Sequence, residues 1–377
     1  MLLFLKSGYN RNFPNKLETL PKTAARILIC PLDWGLGHAT RCVPIIRELL
    51  NQGAEVIIAS ERRPLHFLKQ EFPQLQFISF EGYNIRYPSK TGMILKMAIK
   101  TPQILWRIYK EHQELKKIIA SHAISAVISD NRFGLWSKKI PCVFITHQIK
   151  IKSPVFEKLL YKINCFFIRK YSECWIPDLP GSENLSGDLS HNAILPSNAF
   201  FIGPLSRFSP GKENTYEKKY DLMVIISGPE PQRTNFENIV LGQLKDKAIK
   251  AAVVRGVTES KEIYQLTDNI TVYAHLNTEA LKEIILASQL VLCRPGYSTI
   301  MDLAVLNKKA AFIPTPGQTE QEYLAKHLTE KGKGVYFNQN KFSLEALYLN
   351  PLKNLPLKAS QSNLLKEKIV SFLISLR

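Results

Sequence analysis

The feature that most constrains the fold of this chain is an alternation of short apolar runs with longer amphipathic stretches. The alternation occurs in two separate series. The apolar runs lie at 26–30, 54–59, 76–80, 126–129 and 142–146, and then at 222–226, 251–254, 271–274, 290–293 and 310–313. Strands that follow one another through helices form parallel sheets covered on both faces. The predicted fold class is therefore α/β, with two doubly wound, Rossmann-like domains facing across a cleft.

A stretch rich in turn-forming residues, 177–220, separates the two series and contains PDLPGSENLSGD and GPLSRFSPGKEN. We predict an N-terminal domain over 25–205, a C-terminal domain over 215–350 and a terminal helix within 355–377. Helices are predicted at 39–51, 232–244, 278–287, 298–306 and 319–330. Residues 1–24 show no periodicity and are expected to form an extended lead-in.

Composition narrows the class of protein. Apolar residues make up 45% and charged residues 22%, which excludes a mainly disordered chain. The six cysteines form no C-x-x-C pair, so we expect buried thiols rather than a disulfide framework or a zinc site. The opening MLLFLK is shorter than a signal-peptide core, and no window reaches the ~18 apolar residues of a membrane span. The expected location is the cytoplasm, either in solution or on the inner face of the membrane.

The net charge indicates an anionic partner, because 50 Lys and Arg stand against 32 Asp and Glu, which leaves +18. The segment 91–119 mixes Trp106 and aliphatic residues with Lys and Arg, a pattern that suits an anionic membrane surface. A core-packed helix with a solvated basic face explains that pattern equally well. Nucleic acid is not an expected partner, because the chain contains no recognisable nucleic-acid-binding motif.

The loops after the strands hold the candidate site residues, since doubly wound sheets bind ligands beyond the carboxyl ends of their strands. The first strand leads into PLDWGLGHATR (31–41), where Gly35 and Gly37 permit a tight turn and His38 opens a helix. A neutral imidazole there can take a proton from a substrate hydroxyl. The alternative is a plain turn in which His38 only caps the helix.

Two further loops of the first series are expected to face the same cleft. SDNRFG (129–134) offers Asp130 as a candidate base and Arg132 to position an acceptor, and THQ (146–148) adds His147 and Gln148. The alternative is that Asp130 caps the next helix and that His147 is an ordinary loop histidine.

Three loops of the second series suit a phosphorylated sugar. RPGYSTIMD (294–302) places Ser298 and Thr299 at a helix start, where amides and the helix dipole favour a diphosphate, and Asp302 follows for ribose hydroxyls. SGPEPQR (227–233) provides Gly228 for a turn and Arg233 for charge. PTPGQTEQEY (314–323) provides side chains that can hold hydroxyls, with Gln318, Thr319, Glu320 and Gln321. Plain capped turns and a solvated loop are the alternatives.

The combination of GLGH, CRPGYSTIMDLA and PGQTEQEY resembles the GT-B glycosyltransferases over residues ~25–335, and family 28 most of all. That family includes the N-acetylglucosamine transferase of peptidoglycan lipid-intermediate synthesis. The resemblance implies a UDP-sugar donor held by the C-terminal domain and an acceptor held by the N-terminal domain. The implied donor-binding residues are Gly228, Arg233, Arg255, Leu276, Arg294, Gly296, Ser298, Thr299, Asp302, Gln318, Glu320 and Gln321. The implied acceptor-binding residues are Gly35, Gly37, Arg132, His147 and Gln148.

The resemblance also implies the chemistry, an inverting displacement with His38 and Asp130 as catalytic residues and with no metal or other cofactor. Asp302 stands where the family usually has a glutamate, and the loop at 227–230 has fewer glycines than the family's. The glycine-poorer loop at His38 fits an acceptor other than the peptidoglycan intermediate, either a glycan or a lipid-linked molecule. A UDP-sugar 2-epimerase and a non-catalytic nucleotide-sugar-binding subunit are the alternative functions.

Overall fold

Each half of the chain builds one seven-stranded sheet. The computed structural model describes residues 24–82, 93–153, 156–209, 216–349 and 363–377, and the side chains of the second range from residue 102 onward. The N-terminal strands are β1 (Arg26–Pro31), β2 (Glu55–Ser60), β3 (Gln76–Ser79), β4 (Ala126–Asp130), β5 (Cys142–Ile145), β6 (Glu173–Ile176) and β7 (Ala199–Phe201). The C-terminal strands are β8 (Tyr220–Ile225), β9 (Ala251–Val254), β10 (Ile263–Thr267), β11 (Ile270–Tyr273), β12 (Ser288–Cys293), β13 (Ala310–Phe312) and β14 (Val335–Tyr336).

Both sheets are doubly wound. The first has the order β3-β2-β1-β4-β5-β6-β7, and all of its strand pairs are parallel. The second has the order β10-β11-β9-β8-β12-β13-β14 and is parallel except for the antiparallel pair β10–β11 at one edge. In each sheet the chain starts at the centre, winds to one edge and then crosses to the other side. The predicted fold class is confirmed.

Helices connect the strands and cover the sheets. In the first half they are α1 (Leu36–Asn51), α2 (Arg62–Glu71), α3 (Met93–His122) and α4 (Glu157–Ile168). In the second half they are α5 (Gln232–Leu244), α6 (Thr278–Ala287), α7 (Tyr297–Val305), α8 (Thr319–Glu330), α9 (Leu344–Leu349) and α10 (Leu364–Ser375). Within the described ranges, no helix combines the length and the apolarity needed to cross a bilayer.

The apolar runs become strands because both faces of each sheet are covered. In β1, Ile27 and Ile29 contribute to one hydrophobic core, and Leu28 and Cys30 contribute to the core on the opposite face. An alternating polar pattern would place polar side chains in one of these cores, so the central strands read as continuous apolar runs. All six cysteines are free thiols in buried positions, as predicted.

All ten predicted strands are present, with ends that differ from the prediction by at most two residues. Four strands were not predicted, namely β6, β7, β10 and β14. All four lie at or next to a sheet edge, where only part of the strand is buried and the apolar signal is weak. β7 lies within the stretch 177–220, which was predicted to contain only loops and a linker. The predicted lead-in lies, apart from Ala24, outside the described residues.

The C-terminal helix α10 returns to the N-terminal half of the molecule. Its Phe372 packs edge-on against Trp175 of β6, with ring centroids 5.5 Å apart. The Nζ atom of Lys368 lies 2.8 Å from Oε2 of Glu173. These contacts, together with packing of α10 on α1, tie the end of the chain to the first sheet.

Candidate active site

His38 and Asp130 lie side by side at the carboxyl edge of the first sheet. Gly35, whose φ of +92° suits glycine, turns the chain after β1, so that His38 falls in the first turn of α1. Asp130 ends β4 and is paired with Pro31 at the end of β1. The Nδ1 atom of His38 lies 3.2 Å from Oδ2 of Asp130. The structure therefore brings the two predicted catalytic residues together.

Arg41, one turn after His38 on α1, joins this pair. Its guanidinium donates to both oxygens of Asp130, with Nε 2.7 Å from Oδ2 and Nη2 on Oδ1. Nη2 also lies 2.8 Å from Nδ1 of His38. Arg41 is 2% exposed and Asp130 is fully buried, so the two charges compensate each other where water does not reach them.

The environment sets the charge of both candidate bases. Burial lowers the pKa of His38 below its usual 6.5, and the charge of Arg41 adds to this effect while Asp130 opposes it. Burial by itself would raise the pKa of Asp130, but Arg41 and His38 outweigh it, and the pKa is lowered. At neutral pH the carboxylate is therefore charged and the imidazole is neutral, which is the state in which histidine accepts a proton.

His147 connects this group to the C-terminal half of the molecule. Its Nδ1 lies 3.1 Å from Nη1 of Arg41, and its Nε2 lies 2.8 Å from Oε1 of Glu320 in the first turn of α8. Because an arginine can only donate, Nδ1 of His147 accepts and Nε2 donates to Glu320. The ring of His147 stacks on Tyr297 of α7, with centroids 4.2 Å apart. One chain of polar contacts thus crosses from the first sheet to the second.

The carboxylate of Glu320, predicted to bind the donor sugar, faces His147 in this structure. Burial opposes ionisation of Glu320, but His147 and Arg41 outweigh it, so the pKa of Glu320 is lowered. Its neighbour Gln321 is buried and accepts a hydrogen bond from the backbone N–H of Thr315 at 2.8 Å. Gln318 immediately precedes α8 and is half-buried. Donor binding by these residues stays a prediction.

The start of α7 lies directly against the loop that carries His38. The hydroxyl of Ser298 donates to the carbonyl oxygen of Gly37 at 2.8 Å. A Cβ atom on Gly37 would lie 3.2 Å from that hydroxyl oxygen, so glycine permits the close approach. Gly296 precedes α7 without a side chain to cap it, and Gly296, Ser298 and Thr299 are half-buried. The first amides of a helix have no partner inside it, so this end of α7 offers anion-binding donors next to His38.

Two predicted donor-binding arginines share one carboxylate at the start of α5. Nη1 of Arg233 lies 2.6 Å from Oε2 of Glu237, and Nε of Arg255 lies 2.5 Å from Oε1 of the same residue. Gly228, with a φ of +116°, turns the chain between β8 and this cluster. Leu276, which follows β11, packs against the hydrophobic core. The two arginines therefore lie beside the carboxyl edge of the second sheet in a salt-bridged arrangement.

Arg294, predicted to bind the donor, makes its contacts with the protein. It is 1% exposed and lies over the ring of Phe236 at 4.4 Å. Its guanidinium donates to the carbonyl oxygens of Ile313 at 2.9 Å, Pro314 at 3.0 Å and Gln232 at 3.1 Å. In this structure the side chain therefore joins the loop after β13 to the start of α5.

Asp302 is likewise engaged by neighbouring residues. Its carboxylate accepts hydrogen bonds from Oγ of Ser206 at 2.7 Å and from Nε of Arg207 at 3.3 Å. Burial raises the pKa of Asp302, although Arg207 and Ser206 oppose the rise. The contacts fasten α7 to the segment that links the two sheets. A contact with ribose would need the carboxylate to exchange these partners.

Two predicted acceptor-binding residues differ in their access to the site. Gln148 is half-buried, and its Nε2 lies 3.5 Å from Nε2 of His147. Arg132 is fully buried, its Nε lies 2.8 Å from Oε1 of Glu111 on α3, and it covers the ring of Phe80. Arg132 therefore holds α3 against the first sheet, whereas Gln148 lies beside the site.

Sequence reasoning missed Arg41 and Tyr297, which complete the cluster. Arg41 could have been recognised, because a spacing of three residues places it on the same helical face as His38. Tyr297 gave no comparable signal, since its stacking partner lies 150 residues away in the chain. Among the described residues, no group of three or more His, Cys, Asp and Glu side chains is arranged to hold a metal ion.

A cavity of about 450 Å³ lies elsewhere along the seam between the two halves. The loop after β6 and the end of α8 line it, with Gly181, Ser182, Asn184, Gly187, Asp188, His191, Asn192, His327 and Lys331. Glu320 and Lys331 are eleven residues apart on and just after α8, which corresponds to about 16 Å of helix. The cavity is therefore separate from the cluster around His38.

Comparisons with known proteins agree with this geometry. Residues 235–369 match the model of the glycosyltransferase family 28 C-terminal domain. The chain is 22% identical over 360 residues to the UDP-N-acetylglucosamine–N-acetylmuramyl-(pentapeptide) pyrophosphoryl-undecaprenol N-acetylglucosamine transferase of Actinobacillus pleuropneumoniae, covering 88% of this chain and 90% of that protein. The glycosyltransferase SnogD from Streptomyces nogalater superposes with a TM-score of 0.57 at 14% identity, covering 94% and 95% of the two chains. MurG from Acinetobacter baumannii gives 0.52 at 13% identity, with the same coverage of 94% and 95%.

Two doubly wound sheets whose carboxyl edges face each other form the GT-B fold, and the solved glycosyltransferase structures that resemble this chain share that fold. The family model and the relatives, which match over most of their length, narrow this class to glycosyltransferases similar to family 28. The chain is a glycosyltransferase with the GT-B fold that is similar to family 28, which confirms the resemblance drawn from its motifs.

Proposed function

We propose that this glycosyltransferase moves a hexose, N-acetylglucosamine or another, from a UDP-sugar to an acceptor hydroxyl, with inversion and without a metal or other cofactor. The observation that carries the proposal is the contact of Ser298 with Gly37, which joins an uncapped helix start to the loop of His38. A diphosphate on the first amides of α7 would lie beside a neutral imidazole. The relative from Actinobacillus pleuropneumoniae is named as a transferase that uses UDP-N-acetylglucosamine, which supports a UDP-sugar as the donor.

The reaction forms one bond and breaks one bond at the anomeric carbon. The acceptor oxygen attacks that carbon from the face opposite the diphosphate, and the bond to the diphosphate oxygen breaks with its electron pair. The acceptor's proton passes to Nε2 of His38, which is free to accept it when Nδ1 carries the ring proton and donates to Asp130. The charge that develops on the diphosphate is stabilised by the amides and the dipole of α7.

We further propose that the acceptor is lipid-linked and is reached at an anionic membrane surface. The α3–α4 face comprises seven large apolar side chains that are between 44% and 61% exposed, namely Leu105, Trp106, Tyr109, Phe156, Leu159, Ile163 and Phe166. Soluble monomers rarely expose so many large apolar side chains together. Part of this face lies in the segment 91–119, for which the sequence left a membrane contact and a core-packed helix open.

A chain of contacts through Trp136 and Lys170 connects the two helices and supports a continuous face. Trp136 stacks on His112 of α3 at 4.2 Å, and Nζ of Lys170 lies 4.8 Å from the centre of Trp136 and 4.7 Å from that of Phe166 on α4. Lys110 covers Trp106 at 4.3 Å. The further exposed cations on α4 and at its end are Lys158, Lys162 and Arg169. Each Lys or Arg near an anionic surface adds about 1 kcal/mol of attraction, so these cations and the apolar side chains act in the same direction.

The transferase proposal is tested by measuring release of UDP from UDP-N-acetylglucosamine and other UDP-hexoses, with and without a polyprenyl diphosphate-sugar in phospholipid vesicles. We expect release that needs the acceptor and a product of inverted anomeric configuration. His38→Gln should lower turnover by about 10²–10⁴-fold while UDP binding persists. Conversion of the UDP-sugar to its 2-epimer without acceptor would contradict the proposal, and so would UDP binding without transfer to any acceptor.

Membrane contact is tested by sedimentation with phosphatidylglycerol and with phosphatidylcholine vesicles. We expect binding to the anionic vesicles, weakened about tenfold when Ile163 and Phe166 are both replaced by Ser. Ile374→Ser on α10 is the matched control, because Ile374 is 56% exposed, close to the 58% of Phe166, and lies on another helix. Equal effects of the double variant and the control would refute the α3–α4 face as the contact surface.

A further inference from the structure

Arg41 occupies the centre of the polar cluster rather than its edge. It is 2% exposed, and its nitrogens lie within 3.1 Å of Asp130, His38 and His147. A carboxylate paired with a histidine would be complete without an arginine between them. The position of Arg41 therefore needs a reason of its own.

The hydrogen bonds open to Nδ1 of His38 define two states of the ring. Nδ1 lies 2.8 Å from Nη2 of Arg41 and 3.2 Å from Oδ2 of Asp130, and it can form only one of these two bonds. It accepts from Arg41 when the ring proton is on Nε2, and it donates to Asp130 when the proton is on Nδ1. Only the second tautomer leaves Nε2 free to accept a proton.

We infer that Arg41 is a positioning residue for the base: its guanidinium neutralises Asp130 and keeps the ring of His38 aligned and uncharged. The inference rests on the proposed function only for the role of His38 as the base. A carboxylate next to a histidine stabilises the imidazolium ion, and an imidazolium cannot accept the proton of a hydroxyl. With Arg41 in place, the same carboxylate orients His38 and does not trap it in the charged form.

The titratable groups around His38 come from four parts of the fold. Arg41 lies on α1, Asp130 at the end of β4, His147 in the loop after β5 and Glu320 on α8. Arg41 and His147 disfavour a charge on His38, whereas Asp130 favours it, and the pKa of His38 is lowered by burial together with Arg41. Removal of the positive charge of Arg41 therefore raises the pKa of His38.

The test is a titration of His38 by NMR in the full-length protein labelled with ¹³C-histidine, with the His38 signal assigned from its loss in His38→Gln. In Arg41→Gln we expect the pKa of His38 to rise by about one pH unit or more, because a neutral amide replaces a charge in contact with the ring. Arg41→Lys keeps the charge and should leave the pKa close to that of the unmodified protein. Adding Asp130→Asn to Arg41→Gln removes both charges and should bring the pKa back down.

Arg47→Gln is the matched control, since Arg47 also lies on α1 and pairs with Glu71 at 3.1 Å, away from His38. The pKa of His38 in Arg47→Gln should equal that in the unmodified protein. If Arg41→Gln alone does not fold, the double variant Arg41→Gln/Asp130→Asn is compared with Asp130→Asn, and the pKa of His38 should be higher in the double variant. In each variant that is active, the pH at which kcat/KM falls on the acid side should shift together with the pKa of His38.

An unchanged or lower pKa of His38 in Arg41→Gln would overturn the inference, and so would a pKa in Asp130→Asn that does not fall. Both readouts are independent of activity. An absence of transfer to any acceptor would therefore refute the proposed function while leaving the titration result intact. An active transferase with unshifted titration would refute the role of Arg41 alone.

Discussion

Replacement of Arg294 by Ala tests whether this buried arginine holds the C-terminal sheet together. The substitution removes the side-chain donor to the carbonyl oxygens of Ile313 and Pro314, two buried residues. Each buried acceptor without a partner costs about 1–3 kcal/mol, and contact with Phe236 is lost as well. We expect a loss of about 3–5 kcal/mol in the free energy of unfolding.

The assay is thermal and urea unfolding followed by circular dichroism, together with a titration of UDP at a temperature where the variant is folded. For a domain of this size, each kcal/mol lowers the midpoint by about 2–4 °C, so a drop of about 6 °C or more is expected. Arg63→Ala is the control, because Arg63 is exposed and its single ion pair with Glu259 contributes less than about 1 kcal/mol. An Arg294→Ala variant that unfolds at the same temperature as the unmodified protein but binds UDP weakly would refute the reasoning and make Arg294 a donor ligand.

Three further outcomes follow from the structure. Because the pKa of His38 lies below 6.5, the transferase rate should stay constant as the pH is lowered past 6.5 and should fall only when His38 becomes protonated. A pH–rate profile in which the rate already falls above pH 6.5 would contradict this. Phe372→Ala should cost about 3–5 kcal/mol in urea unfolding, because Phe372 is buried against Trp175, whereas a loss below 1 kcal/mol would show that α10 is not needed to stabilise the first sheet. Gly187→Ala should destabilise the protein by about 1–3 kcal/mol, because Gly187 has a φ of +54° and a Cβ atom there would collide with Tyr323 and His327. An unchanged free energy of unfolding in urea would refute that contact.

The sequence was sufficient to predict the fold class and the ends of most strands. The central strands are buried on both faces, so their apolar runs stand out from the helices around them. Edge strands such as β7 and β14 lack that signal, since they are short and partly exposed. Their pairing depends on the neighbouring strand, which a reading of the local pattern does not include.

The candidate site was predictable where it depends on position after a strand. His38, Asp130 and Ser298 all follow strands whose carboxyl ends point to the same cleft, and the structure places them there. The partners of Arg294 and Asp302 were not predictable in the same way. Both side chains occur in a motif that suggests a ligand, yet their contacts are set by segments up to 96 residues away. Reactive and charged residue types indicate which loops could form a site. The direction of each side chain depends on tertiary packing.

A crystal structure of the protein grown with UDP tests the central claim most directly. We predict that the diphosphate lies within hydrogen-bond distance of the amides at 296–299, with the loop of His38 on the opposite side of the cleft. Diphosphate density in the cavity lined by Asn184, His191 and Lys331, with none at the start of α7, would contradict the account.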